Sequence, residues 1–597
     1  SFDLTQMSNV LEDQIVTSLT KRQWKFKKNN QRLIQTITEQ YDLSSFMATL
    51  LSSRNISSNE VNNYINPTLK DNLPNPSIMS DMIKASDRTF EALKKSENIA
   101  ILGDYDVDGS TSVAMIVKYF QSLGVSVHFH IPNRFTEGYG PNKDVFKKFS
   151  QDNVKLVFTV DCGTMSFSEM KFAKEEGLDV IVLDHHQPEA KYPEAFAFIN
   201  PNRFDDESQL GYLAAVGVSF MFLVSLNRKL RSENWFDSKN LEEPNLITFL
   251  DLIALGTICD SVPLKGINRL MVIKGLEVIQ KRKNHGLSAL IDVAEINQKV
   301  SVYDLGFKLG PRINAAGRIG KSNFGVDLLI SNDRQKAEEI SSELEKLNLE
   351  RKTIENQVYE MATQQINAEM KESKIIVVYD EGWHEGVIGI IASRLKDKYK
   401  KPAIVLSVND GIAKGSGRSV KGIDLGNMII SANQNGILEK GGGHAMAAGM
   451  TLKKAKIQEF IHYLNTKLVH KNDHEDHQSS YLDMKLSASA INIEVFKEVE
   501  SLGPYGSENP EPIFVIDNIK ITSLKKIGSD HLKCLGRSEN GKFTECLAFR
   551  SASTALGEQL YEYEGKSVSL IGKIKVNEWG GRKIPQFHIE DIASTIA

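Results

Sequence analysis

The chain has 597 residues, 41% of them hydrophobic and 25% charged. Those proportions exclude a fibrous or wholly disordered chain, and at about 150 residues per domain the length calls for roughly four domains. Seventy-two Lys and Arg against 76 Asp and Glu leave a net charge of −4, which excludes a polycation, so any nucleic acid would have to be held by local basic patches.

Residues 1–80 read as a polar, mostly helical lead-in, and SFDLTQMSNV lacks the apolar core of a signal peptide. The basic run KRQWKFKKNNQR, Lys21 to Arg32, reads as a solvated helix end rather than a phosphate-binding strip with Trp24 stacked on a base. From Asn98 the pattern changes. NIAILGDYD, VSVHFHIP, VKLVFTVD and DVIVLDHH are apolar runs without alternation, separated by helical stretches. This is the signature of parallel strands buried on both faces, and it predicts a doubly wound α/β domain over 81–333. The run Leu213 to Leu226 is too short to span a bilayer and reads as a buried helix. Residues 334–370 lack Gly and Pro and predict one long connecting helix. A second α/β unit follows over 371–469, interrupted by the glycine clusters GSGRS and GGGHAMAAG. Residues 470–480, HKNDHEDHQSS, read as a polar linker rather than a metal site. The remainder, 481–597, has short alternating strands with turn signals and predicts a small β-barrel. The cysteines Cys162, Cys259, Cys534 and Cys546 form no CxxC pair. That argues against a zinc ribbon or disulfide framework and suits a reducing compartment. The expected location is cytoplasmic, without a membrane partner.

The strongest chemical signal is ILGDYDVDGST, which sets Asp104, Asp106 and Asp108 where a strand gives way to a helix. Open α/β sheets bind ligands at that edge. Three carboxylates within five residues repel one another, and their burial requires cations or protons. VFTVDCGT ends in Asp161, IVLDHHQP presents Asp184, His185 and His186, and DLIALGTICDSVPL presents Asp260 after an apolar helical or strand segment. An EF-hand is rejected, since its twelfth position would be Met115 and a helix should precede it. Oxygen ligands with imidazole fit a site for two Mn²⁺ or Mg²⁺ ions, and such pairs suit in-line displacement at phosphorus.

GDYDVDGST, TVDCGT, LDHH and GTICDSVPL resemble the motifs of the DHH phosphoesterase superfamily. GYGPN, INPNR, LGPRINAAGRIG, WHEGVIGIIASR, GSGRS, GGHAMAAG and LGPYGSENPEPIF extend the resemblance to its bacterial RecJ family, over about residues 40–597. The resemblance implies two α/β lobes, of DHH and DHHA1 type, joined by the long helix, with an OB-fold barrel at the C-terminus. It implies a single-strand-specific exonuclease releasing 5′-mononucleotides in the 5′-to-3′ direction, acting in recombination and repair beside a helicase and single-strand-binding protein. Asp106, Asp108, Asp161, His185 and Asp260 would be metal ligands, with Asp161 bridging. Asp104 would be a ligand or a base near the attacking water, His186 would touch the scissile phosphate, and Asp184 would orient the motif from behind. A monomer is expected.

The glycines of GSGRS let backbone N–H groups approach an anion, with Ser416 and Arg418 adding a hydroxyl and a fork suited to phosphate. Gly443 and His444 offer a similar cradle. GKS at 320–322 is no P-loop, because the first glycine of that motif would be Ala315. Arg312, Asn314 and Arg318 are candidates for DNA phosphate contacts instead. Trp383 and His384 either pack between the lobes or touch substrate. In the barrel, Lys525, Lys526, Arg537, Trp579 and Arg582 are candidates to line a single-strand groove. Two other readings stand beside the nuclease: a superfamily member acting on pyrophosphate, short nucleotides or cyclic dinucleotides, which would need only the two lobes, and a DNA-binding scaffold without activity.

Overall fold

The computed structural model describes residues 14–469 and 479–596. The readings of the N-terminal decapeptide and of most of HKNDHEDHQSS therefore fall outside the described residues. The chain forms two compact units. One takes residues up to Leu73, the segment Pro263–Leu270 and the part after the linker; the other takes Pro74–Val262 and the stretch from Met271 to the linker.

In the second unit, the first lobe is built on a five-stranded sheet. Its strands, in spatial order, are His128–His130, Asn98–Leu102, Val154–Val160, Asp179–Leu183 and Ala197–Ile199. All neighbours run parallel. The interior strands are buried on both faces, as contiguous apolar runs require. One face packs on Phe146, Phe149 and Met170. On the other, Phe158 lies 6.0 Å from Phe120 and 5.3 Å from Phe222, centroid to centroid. Phe120 belongs to the helix Val107–Ser122 and Phe222 to the helix Ala215–Ser232, which contains most of the predicted buried segment.

The first strand in sequence lies between the second and the third, so the direction of winding reverses beside it. Crevices for ligands open at that point, at the carboxyl ends of the strands. Register places those ends side by side: Leu102 pairs with Thr159, Val160 with Leu183, and Leu183 with Ile199.

The connecting helix runs Arg334–Gln365, and a separate short helix, Ala368–Glu372, follows. The second lobe has a mixed five-stranded sheet. Its order is Lys440–Gly443, Ala447–Lys453, Ile412–Arg418, Ala403–Asn409 and Ile376–Glu381. The last two strands are parallel and the others antiparallel.

In the other unit, strands Phe514–Ile527, His531–Arg537, Phe543–Ala548, Arg582–Ser594 and Ser567–Trp579 close on themselves, because Phe514–Ile527 also pairs with Ser567–Trp579. This is the expected small barrel, and it has five strands. Its core is shared with N-terminal helices through Phe46, Leu50 and Leu51. The reading of Lys21–Arg32 needs correction. Gln23–Phe26 is a strand, antiparallel to Val16–Thr17 and parallel to Ser479–Leu482. Trp24 is fully buried, and its Nε1 donates to Asp591 Oδ2 at 2.8 Å. It is neither a solvated helix residue nor a stacking platform.

Candidate metal centre and phosphate site

After the strand Asn98–Leu102 the backbone turns at Gly103 and Asp104 into the helix Val107–Ser122. Asp106 caps that helix, its Oδ1 accepting from Gly109 N at 2.7 Å. A side chain at Gly109 would meet the Asp104 carbonyl oxygen at 2.6 Å, so glycine lets the first turn nest on the Asp104 backbone. Asp108 is buried in the same turn. Both its oxygens accept backbone N–H groups, from Ala215 and Val216 at 2.9 Å each, at the start of the helix Ala215–Ser232. The dipole at that helix end favours the carboxylate.

Asp161 follows Val160 in a left-handed conformation, φ 58°, which Asp tolerates better than most residues. Asp260 ends the helix Leu250–Cys259. The fourth acidic position is thus a helix terminus, where the sequence had allowed a helix or a strand.

These groups converge. His185 Nε2 lies 3.2 Å from Asp161 Oδ1, 3.4 Å from Asp260 Oδ2 and 3.5 Å from Asp108 Oδ2. Ligand atoms of Asp104, Asp106 and Asp161 fall within 4.8 Å of one another, as do those of Asp108, His185 and Asp260, and those of Asp161, Asp184, His185 and His186. Asp161 and His185 each belong to two of these sets. Neither Asp161 oxygen nor His185 Nε2 has a hydrogen-bond partner although all three are buried. The short His185–Asp161 approach is not aligned as a hydrogen bond. Three orphaned polar atoms at the centre of hard oxygen ligands fit divalent cations of the Mn²⁺ or Mg²⁺ class.

The protonation pattern agrees. Burial, then the charges of Asp106, Asp108, Asp104 and Asp260, hold the Asp161 carboxyl well above its ordinary range. Burial and Asp106 raise Asp104, and raise Asp108 to about 7. Burial and Asp108 raise Asp260. Burial and the neighbouring His186 lower His185 to about 4, which keeps a lone pair on its ring. The Leu213 backbone acts in the opposite sense on His185, and Nε2 itself has no hydrogen-bond partner.

Asp184 has a different environment. Its Oδ2 accepts from Thr164 Oγ1 at 2.6 Å, and its Oδ1 from His185 N at 2.8 Å and His186 Nδ1 at 2.6 Å. Burial opposes its charge, but His186, His185 and Thr164 hold the carboxyl below its usual range. Burial likewise opposes a charged His186, and Asp184 outweighs it, raising the imidazole to about 9. His186 keeps 35% of its side chain exposed, so a cationic ring stands beside the cluster.

Several residues here were not singled out as candidates in the sequence, although three of them lie in the motifs INPNR and GYGPN. In INPNR, Asn200 Nδ2 donates to the His186 carbonyl at 2.8 Å and Asn202 Nδ2 to the His185 carbonyl at 2.5 Å, which fixes both histidines. Tyr139, 53% exposed, donates to the Asp161 carbonyl at 2.7 Å and meets the His186 ring edge-on. Arg134 lies over the Tyr105 ring, 5.0 Å from its centroid, and its charge bears on Asp104.

Arg134 also ties the acidic cluster to the second lobe. Burial, then Arg134, Arg351 and Arg418, lower the Arg318 guanidinium to about 9, and burial and Arg134 lower Arg418. Arg418 Nη1 donates to Ser416 Oγ at 2.9 Å. A side chain at Gly389 would come within 2.9 Å of Arg418 and 3.2 Å of Ser416. Cations gathered this way suit an anion. Arg418 pairs in register with Ala447, whose carbonyl accepts from His444 N at 2.7 Å, so the Gly443–His444 turn sits at the same end of the sheet. Arg312 is placed differently, held by Glu345 and by the Lys308 carbonyl at 2.8 Å. Asn314 is half-buried on the same helix. In the barrel unit, Lys525, Lys526, Arg537 and Arg582 are exposed, Trp579 is 78% exposed, and Trp579 pairs with Arg582.

Comparison with known proteins follows these divisions. Residues 98–257 match the model of the DHH family N-terminal domain, 372–470 the DHHA1 domain and 482–591 the RecJ OB domain. The single-stranded-DNA-specific exonuclease RecJ of Bacillus subtilis is 35% identical over 96% of this chain and 71% of its own length. That of Haemophilus influenzae is 36% identical over 88% and 92% respectively. A crystal structure of RecJ in complex with Mn²⁺ from Thermus thermophilus superposes with a TM-score of 0.80 at 27% identity, covering 96% of this chain and 80% of that one. A Mg²⁺ complex of RecJ from the same organism gives 0.75 at 26% identity, covering 96% and 79%.

Proposed function

The chain belongs to the RecJ family of single-stranded-DNA-specific exonucleases, and on that premise we propose that it hydrolyses single-stranded DNA from a 5′ end, releasing 5′-mononucleotides. The observation that carries the reading is the set of orphaned buried atoms, Asp161 Oδ1 and Oδ2 and His185 Nε2, at the meeting point of the acidic strand and helix ends. Asp106, Asp108, Asp161, His185 and Asp260 would hold two divalent ions, with Asp161 shared and Asp104 beside them. When bound, such ions supply charge neutralisation at phosphorus and a water that ionises near neutral pH.

The chain's own groups do the rest. Cationic His186 donates to a non-bridging oxygen of the scissile phosphate and offsets the charge that grows there. Asp184 keeps that ring charged and oriented, and Asn200 and Asn202 fix the backbone beneath it. Arg418, with Ser416, Arg318 and Arg134, holds the terminal phosphate. Anchoring that phosphate at a set distance from the acidic cluster selects the first diester bond, which is an exonucleolytic outcome. The same proposal includes a passage between the lobes too narrow for a duplex, further DNA contacts at Arg312, Asn314, Gly443 and His444, and action as a cytoplasmic monomer with a helicase and single-strand-binding protein in recombination and repair.

Digestion of 5′- and 3′-labelled oligonucleotides, single and paired, with and without Mn²⁺, tests it. The expected result is Mn²⁺-dependent release of labelled mononucleotide from the 5′-labelled single strand at once, with little attack on blunt duplex. Intact oligonucleotide in Mn²⁺, beside turnover of pyrophosphate or a cyclic dinucleotide, would overturn the reading in favour of a small-substrate phosphohydrolase.

A further inference from the structure

The second unit has a hollow that this chemistry does not use. Its volume is about 440 Å³, and its lining includes Phe135 from the first lobe and Trp383, His384, Glu385, Asn409 and Lys414 from the second. The lining combines the rings of Phe135, Trp383 and His384 with the polar side chains of Glu385, Asn409 and Lys414. Phe135 is 37% exposed and meets the His384 ring edge to face, with centroids 5.8 Å apart at 88°. His384 Nδ1 accepts from Gly386 N at 2.9 Å, which requires a lone pair there, so the neutral ring carries its proton on Nε2. Burial and the nearby Arg134 favour that neutral form. Lys414 pairs with Glu385 at 3.6 Å.

Position is the second observation. Phe135 follows Arg134 in the chain, and Ile319, also in the lining, follows Arg318. Arg318 Nη1 donates to the Gly386 carbonyl at 2.7 Å, and Gly389, three residues on, packs on Ser416 and Arg418. The hollow therefore adjoins the cluster of guanidiniums. A flat π-system with hydrogen-bonding edges is the chemistry that suits a lining of rings and polar side chains, and the neighbouring guanidiniums suit an anion attached to it. A nucleotide has both parts, and the volume is ample for one nucleobase.

We infer that this hollow receives the base of the 5′-terminal nucleotide, stacked on Phe135 and meeting the perpendicular His384 ring edge-on, while Arg134, Arg318, Ser416 and Arg418 hold the phosphate of the same nucleotide. The inference rests on the nuclease reading above and adds a stacking subsite to it. Stacking tolerates every base, so the subsite aids positioning without reading sequence.

The test uses the full chain, Mn²⁺ and two 5′-phosphorylated single strands that differ only at the first nucleotide, which carries adenine in one and is abasic in the other. The wild-type protein should release the first nucleotide from the abasic strand with kcat/KM about 5- to 150-fold lower, the range of one base–aromatic stack. Phe135→Leu should slow the adenine strand to near the abasic rate and leave the abasic strand little changed. A merely structural defect would slow both strands by one factor and keep their ratio, which would overturn the assignment. Equal wild-type rates on the two strands would overturn it as well, while leaving the nuclease reading intact. Equal rates together with inhibition by dAMP that Phe135→Leu relieves would assign the hollow to a free mononucleotide instead of the substrate base. Degradation of neither strand would overturn the nuclease reading itself, and the subsite with it.

Discussion

Replacing Asp161 by Asn keeps the shape of the side chain and removes its charge, and the structure sets the size of the effect. Ligand atoms of Asp104, Asp106 and Asp161 lie within 4.8 Å of one another. At an effective dielectric of about 20, each ionised pair at that separation costs roughly 3.5 kcal/mol. Asp161 takes part in two of the three pairs, so its charge carries most of the repulsion in that set. Without cations the wild-type protein limits this cost by holding protons, and the Asn variant avoids it outright. The metal-free variant should therefore melt at or above the wild-type temperature. With Mn²⁺ the order reverses. At a concentration of about 100 Kd the ion contributes about 2.7 kcal/mol to the protein that binds it, or roughly 5–10 °C of melting temperature for a unit of a few hundred residues. The variant should lose most of that gain, and its turnover of single-stranded DNA should fall by at least ~10²–10³-fold, the scale for removing one preorganised charged group. Differential scanning fluorimetry with and without Mn²⁺, beside a nuclease assay, measures both. A metal-free variant that melts well below wild type would show that Asp161 is a structural hydrogen-bonding residue. A full Mn²⁺ shift with wild-type turnover would refute the ligand assignment.

Other expectations follow from the same geometry. The carboxyl of Asp108 is raised to about 7 in the folded protein. Its unfolded value is near 3.9, so the folded state holds the extra proton, and stability is lost as pH rises through the folded value. The metal-free melting temperature should fall between about pH 5 and 8, and saturating Mn²⁺ should flatten that slope; a metal-free protein that gains stability over this range would contradict it. Asp184→Asn should lower the His186 imidazole from about 9, visible by NMR titration, and reduce metal affinity or turnover about 10- to 100-fold. Arg418→Lys should raise KM for 5′-phosphorylated strands and shrink their advantage over 5′-hydroxyl strands, since a lysine offers a point charge and no fork. Trp24→Phe should cost about 1–3 kcal/mol of stability by stranding an Asp591 oxygen, with the nuclease rate unchanged; unchanged stability with weakened DNA binding would restore the stacking role.

What the sequence disclosed, and what it withheld, has one physical division. Asp104, Asp161 and Asp184 were legible because buried parallel strands are written as contiguous apolar runs, and a polar residue that ends such a run must lie at the sheet's edge. Only sequence-local information is needed for that step. Asp260 was legible as an acid but ambiguous in its setting, since Leu250–Cys259 is apolar apart from Asp251 and Thr257 and so lacks the period that separates helix from strand. Trp24 was misread because its strand is completed by pairing with Ser479–Leu482, a segment near the far end of the chain, and its local partner Val16–Thr17 is only two residues long, so no local pattern marks it. Arg134 and Phe135 sit in an irregular loop, PNRFTEGYG, where neither a period nor an apolar run marks the functional side chains. Their meaning comes from the second lobe, through Arg318, Arg418 and His384. The residues that make ions affordable are thus recorded strand by strand, whereas those that would grip the nucleotide acquire a role only once two lobes, folded from distant stretches of one chain, bring their cations and rings together.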